Sequence, residues 1–350
     1  MISLAAQRYL RPMANPEARA NVASRDIGID TVRGVAILMV IGIHSLQQPP
    51  DAWEMITDAI LRPCVPVFLF VSGYLTALSG QVPLWRRVKT AVVPYAIAFI
   101  ASYAYMALHN PAMDHRPTTA LARFVLAYAF VYYYVFVYVG CTILLWLVFR
   151  SASLAGPSDA RLAAMLLLAI LLGLTVGSYL DPLAVRLGLG ESLVEEVRMR
   201  DIPFWFAFMA LGALAGIFRI RPVLTDMRLQ LFAATFVAYI FYTGVRLFRL
   251  GDAADYDSIA FFAYAALLCC LLLAYHAEAP LIAALGSGSY FIYLWHIFFV
   301  MLLRDHAPLS TLGSFAASAI TFVCATAGSI VAMTIVRGLA PIPVRRWLGA

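Results

Sequence analysis

Apolar residues in this chain are gathered into runs of about 17–25, the length a helix needs to cross a bilayer. Ten such runs lie near 30–48, 59–79, 90–108, 123–149, 162–180, 202–218, 229–248, 259–275, 284–303 and 312–336. They predict an all-α integral membrane protein, a bundle of about ten transmembrane helices. The ninth run opens on Gly286-Ser287-Gly288-Ser289, a breaker that shortens its helix. No internal repeat is visible. The stretch 181–201 is the longest predicted outer loop, and its Leu193-Val194-Glu195-Glu196-Val197 segment predicts a short surface helix. The domain division follows: an N-terminal arm over 1–28, a transmembrane domain over 29–338 and a tail over 339–350.

Composition agrees with the pattern. The chain is 63% hydrophobic and 13% charged, whereas a soluble domain is about half apolar and about a quarter charged. Its polar surface is too small to cover a water-soluble globule. Charge between the runs sets the orientation. With the N-terminus in the cytosol and ten alternating helices, 16 of the 25 basic residues fall in cytosolic segments and 13 of the 19 acids fall outside. Lys/Arg bias of this kind predicts both termini in the cytosol. The net charge of +6 is therefore topological, and no nucleic-acid partner is expected. The first 26 residues are polar, with Arg8, Arg11, Arg19 and Arg25 and no apolar core. They are expected to form a cytosolic arm against anionic lipid rather than a cleavable signal. The five cysteines mostly sit inside apolar runs and read as small core residues. No metal-ligand spacing occurs.

The chemistry-bearing residues begin with Ile29-Asp30-Thr31-Val32-Arg33-Gly34, followed by Ile43-His44-Ser45. Eleven residues separate Arg33 from His44, which on a helix leaves an offset of about 20° and an axial rise of roughly 16 Å. Both side chains then point the same way, Arg33 at the cytosolic interface and His44 deep in the membrane. Ionisable groups at such depth usually face a bundle interior or a water-filled cavity. The plainer alternative is a core histidine bonded to a neighbouring helix, with Arg33 as a topology anchor. In Pro66-Val67-Phe68-Leu69-Phe70-Val71-Ser72-Gly73-Tyr74, the small Ser72 and Gly73 suit either a packing notch or a direct role. Trp85-Arg86-Arg87-Val88-Lys89 puts three cations at the mouth of the third run, fit for a phosphate clamp or a headgroup anchor. In the ninth run Ser289, Tyr293 and His296 share one helix face. That polar stripe suits a cavity lining or interhelical hydrogen bonds. Tyr132, Tyr133 and Tyr134 in the fourth run suit a sugar-binding cavity or interfacial packing. Asp30, Ser72, Tyr133, Ser289, Tyr293 and His296 are the candidate cavity-lining set.

Taken in order, these segments resemble the acyltransferase-3 family of integral-membrane O-acyltransferases. The carrying features are Asp30-Thr31-Val32-Arg33-Gly34 with His44, Phe68-Leu69-Phe70-Val71-Ser72-Gly73-Tyr74, the basic entrance before Pro94-Tyr95, and Ser289-Tyr290-Phe291-Ile292-Tyr293-Leu294-Trp295-His296, together spanning about residues 29 to 300. The resemblance implies an enzyme that takes an acyl group, usually acetyl, from coenzyme A in the cytosol. The group passes to a hydroxyl, often of a sugar in a surface polysaccharide or lipid-linked glycan. It implies that Arg33 and His44 are catalytically essential, with Arg33, Arg86, Arg87 and Lys89 on the donor. The family's second basic motif has the form Arg-x-x-Arg. Here Arg87 matches its first arginine but Thr90 stands at the second, with Lys89 adjacent and Arg86–Lys89 a shifted equivalent.

The expected partners are acyl-CoA as co-substrate, a carbohydrate or glycolipid acceptor and membrane lipids, with no bound cofactor or metal. The expected location is the bacterial inner membrane. His44 would act as general base, by direct transfer or through an acylated residue. The competing classes are a transporter or flippase for a glycan or lipid-linked sugar, and an assembly partner with a degenerate site. The acceptor, the acyl chain and the oligomeric state are not legible in any motif.

Overall fold

The computed structural model describes residues 26–350 except 48–49, 111–112, 115, 129–130, 157 and 251–257. Arg8, Arg11, Arg19 and Arg25 of the expected arm lie outside the described residues, as do His115, Asp252, Asp255 and Asp257. Among the described residues there is no strand. The chain runs through α1 (Ile27–Ser45), α2 (Ala52–Leu61), α3 (Cys64–Ser79), α4 (Leu84–His109), α5 (Pro117–Val125), α6 (Tyr133–Leu154), α7 (Asp159–Gly177), α8 (Leu180–Arg186) and α9 (Glu191–Met199). It continues through α10 (Ile202–Ile217), α11 (Arg221–Asp226), α12 (Arg228–Leu247), α13 (Ile259–Tyr275), α14 (Pro280–Ser287), α15 (Ser289–His306), α16 (Ser314–Leu339) and α17 (Ile342–Leu348).

Eight helical segments among the described residues are long and apolar enough to cross a bilayer. In addition, α14 and α15 form a pair bent by 83°, and α13 is an apolar helix of 17 residues. Each apolar run of the sequence overlaps a helix. This is a multi-pass membrane protein, and its lipid-facing surface is apolar accordingly. On α7, Leu167, Leu168, Leu171 and Leu172 are all more than half exposed, as are Phe232, Phe236, Val237, Ile240 and Phe241 on α12.

Three runs depart from the expectation of a single helix, and the second, 59–79, passes from α2 to α3 at Arg62-Pro63. The break in the ninth run falls at Gly288, where the chain turns from α14 into α15. The fourth run, expected over 123–149, is split: α5 ends at Val125 and α6 begins at Tyr133. Ala127 adopts φ 49° in the gap. The carbonyls freed there are met by distant side chains. Arg200 Nε donates to Leu126 O at 2.6 Å, Tyr95 to Phe124 O at 2.8 Å and Tyr293 to Val131 O at 2.6 Å. Irregular backbone is tolerated at membrane depth only when protein groups satisfy it in this way. The short helix predicted over 193–197 is present as α9, but from Leu193 it belongs with α10 to one apolar segment, Leu193–Ile217, long enough to span a bilayer rather than to a surface loop.

The core centres on α10. Phe204, Trp205, Phe206, Phe208 and Met209 are each at most 3% exposed, because a helix apolar on all sides must be enclosed. It packs on α3 backbone to backbone. A Cβ at Gly73 would collide with the Met209 carbonyl, and one at Gly212 with the Phe70 carbonyl. Gly73→Ala and Gly212→Ala should each cost about 1–3 kcal/mol through forced separation of these helices. Gly244→Ala on α12 meets nothing within 4 Å and should be neutral or stabilise by about 0.5–1 kcal/mol. Thermal unfolding of the three variants in one detergent checks this, and equal melting temperatures would contradict it. The N-terminal half of α1 packs on α14 in the same close fashion. A Cβ at Gly34 would strike the Ile282 carbonyl and one at Gly286 the Asp30 carbonyl.

Candidate functional site

α1 starts where Asp26 caps it, its Oδ1 accepting from Ile29 N at 3.0 Å. It ends at Ser45, and Arg304 from α15 closes that end by donating from Nη2 to the carbonyls of His44 (2.8 Å) and Leu46 (2.9 Å). The loop beyond is fixed by Glu54, which is fully buried. Its carboxylate accepts from Gln47 N at 2.9 Å, Asp51 N at 3.0 Å and Ser318 Oγ at 3.0 Å. Neither Arg304 nor Glu54 was visible as a site residue in the sequence, because each acts on a segment distant in the chain.

A cavity of about 470 Å³ opens beside the first half of α1. Arg33, Ser72, Arg86, Arg87, Ser289 and Tyr293 line it, together with Thr90, Tyr134, Tyr138 and Tyr290, which the candidate set had not included. Arg33 Nη2 donates to Ser289 Oγ at 3.2 Å, and its Nη1 lies 3.5 Å from Asp30 Oδ1. Asp30 is itself buried beneath Arg33 and is not part of the cavity wall. Arg87 Nη1 is buried without a hydrogen-bond partner among the described residues. Lys89 is exposed and lies off the lining. The lining positions of α4 are Arg86, Arg87, Thr90 and Ala91, and helical rotation carries Lys89 away from that face.

A second cavity of about 180 Å³ holds His44. Val40, Ile43, Cys64, Val65, Val131, Tyr133 and Met199 form most of its wall. Tyr134 and Tyr293 line both cavities. Their rings meet edge to face with centroids 5.4 Å apart, so this pair is the partition between the two spaces. Tyr134 and Tyr138 are spaced i, i+4 on α6, a signal that could have placed them on one face. His296 is fully buried and off the lining of both cavities. Its ring centroid is 5.4 Å from that of His44. The residues of the first and ninth runs are thus brought together at both ends: Arg33 with Ser289, His44 with His296.

Among the described residues, no group of three or more His, Cys, Asp or Glu side chains is arranged to hold a metal ion. Cys64, Cys141 and Cys269 are buried free thiols, Cys270 is half-buried and Cys324 is exposed. The arrangement offers an arginine-rich mouth, a tyrosine partition and an imidazole pair of which His296 is buried and His44 half-buried, in that order along one face of α1.

Comparison with curated proteins and with solved structures returned no match. A family model described as an acyltransferase domain matches residues 26–336. That span takes in the arginine mouth, the tyrosine partition and both histidines, and the chain belongs to the acyltransferase-3 family.

Proposed function

We propose that this membrane acyltransferase moves an acyl group, acetyl by expectation, from cytosolic acyl-CoA to a hydroxyl of a carbohydrate or glycolipid on the far side of a bacterial inner membrane. The proposal includes ten spans with both termini cytosolic, counting the bent α14–α15 pair and α13 as spans. The observation that carries it is the pair of neighbouring cavities along α1, which share Tyr134 and Tyr293 in their walls. The first offers three arginines to an anionic nucleotide. The second offers one imidazole in an apolar chamber. A donor with a charged head and a long thin arm fits this sequence: phosphates at Arg33, Arg86 and Arg87, the arm past Tyr134 and Tyr293, the thioester beside His44.

In the chemical step His44 removes the proton of the acceptor hydroxyl. The hydroxyl oxygen bonds to the thioester carbonyl carbon, the carbon–sulfur bond breaks, and the coenzyme A thiolate leaves and is protonated. The products are an ester and free thiol. An acylated residue on the way would change the number of transfers but not this balance.

The decisive experiment reconstitutes the purified protein in vesicles with acetyl-CoA on one side. Acceptor-dependent release of free thiol, with an added acetyl mass on the glycan, is expected. Glycan uptake without consumption of acyl-CoA would instead establish the transporter reading. The donor clamp has its own check. Arg87→Ala should raise the KM for acyl-CoA about tenfold, the scale of one charge-assisted hydrogen bond. Lys89→Ala should leave it unchanged. Equal effects from the two would mean that the clamp is not on the cavity face.

A further inference from the structure

His296 offers a chemical role that neither the family assignment nor the cavity walls assign. Its Nδ1 lies 3.0 Å from Ile292 O and 2.9 Å from Tyr293 O. A carbonyl oxygen can only accept, so Nδ1 must carry the proton and donate to both. In a neutral imidazole the other nitrogen is then a bare acceptor. That nitrogen, Nε2, is buried and has no hydrogen-bond partner among the described residues. A buried polar atom without a partner is costly unless something is meant to meet it. The His44 ring stands beside it, with centroids 5.4 Å apart and planes tilted by 34°.

We propose that His296 is a positioning residue: its Nε2 accepts a hydrogen bond from one ring nitrogen of His44, fixing the tautomer of His44 so that its other nitrogen presents a lone pair to the second cavity. The backbone of α15 therefore dictates the state of the base on α1. Two helical carbonyls lock His296, and His296 locks His44. A carboxylate commonly holds a catalytic imidazole in this way. Here a neutral imidazole does so, which avoids burying a further negative charge in an apolar chamber. The aromatic Tyr293, one turn before His296, lines the same cavity as His44, so one stretch of α15 shapes the chamber and orients its base.

This inference rests on the acyltransferase reading for its kinetic consequences but not for its spectroscopic one. The full-length protein, labelled with ¹⁵N-histidine in detergent, has six histidines, and the His44 signals are assigned by their loss in His44→Ala. Wild-type protein should show one His44 tautomer. His296→Phe, which keeps the ring but removes the acceptor, should show a mixture. His296→Gln puts an amide near the Nε2 position and should restore the single tautomer at least in part. In transfer assays His296→Phe should lower kcat by about tenfold to a hundredfold, the scale of a misoriented catalytic group. The KM for acyl-CoA should not move, and Gln should recover part of kcat. A single unchanged tautomer in His296→Phe overturns the proposal, whatever the activity. So does a KM shift with kcat intact. A tautomer change in a protein that transfers no acyl group would uphold the histidine pair and overturn the acyltransferase reading alone.

Discussion

His44→Ala is expected to lower kcat by about 10²–10⁴-fold, the usual contribution of a positioned general base, while the KM for acyl-CoA stays within a few-fold. The physical reason is the separation of the two cavities. His44 lines only the smaller one, beyond the Tyr134–Tyr293 partition, so it has no part in the mouth where the nucleotide is to bind. Its backbone carbonyl, held by Arg304, is retained in the alanine variant, so the end of α1 should stay in place. Rapid-mixing measurement of thiol release, with acyl-CoA binding measured separately, tests this. Wild-type turnover in a folded His44→Ala protein would remove the residue from the chemistry and the proposed function with it.

Arg33→Ala should behave in the opposite manner. The KM for acyl-CoA is expected to rise by up to about a hundredfold, at the upper end for a buried charge-assisted contact, with a smaller change in kcat. Arg33 faces the larger cavity and is held in place by Ser289 and Asp30. It is therefore presented to a ligand rather than left to find one. Arg33→Lys keeps the charge but loses the planar fork, and should fall between the two. Added salt should weaken binding in wild type more than in Arg33→Ala. Equal loss of donor binding in Arg33→Ala and His44→Ala would show that the two cavities do not divide the work.

Much of this site is legible in the sequence, and the reason differs from part to part. The alignment of Arg33 with His44 needs only helical geometry, which is local. The face shared by Ser289, Tyr293 and His296 is local in the same sense. Ser72 borders a cavity, while a Cβ at the adjacent Gly73 would meet the Met209 carbonyl, so the packing notch lies at Gly73. Lys89 shows the limit. Charge alone groups it with Arg86 and Arg87, but the rotation of α4 against its neighbours decides which cations face inward. The split of the 123–149 run shows another. No charged residue, glycine or proline interrupts it between Phe124 and Tyr133, yet it divides there, and Arg200, Tyr95 and Tyr293 supply hydrogen bonds from elsewhere to the carbonyls at the division.

By itself the sequence determined that the chain spans a membrane, roughly where each apolar helix lies, and which polar residues share a helix face. Those properties follow from run length and the helical repeat, which act between residues close in the chain. Only the tertiary structure decided that the arginines and His44 occupy two cavities with a tyrosine partition between them. It alone set His296 against His44 and closed the end of α1 with Arg304. These are contacts between helices far apart in the chain, fixed by the rotation and close approach that glycine contacts such as Gly34 and Gly286 allow.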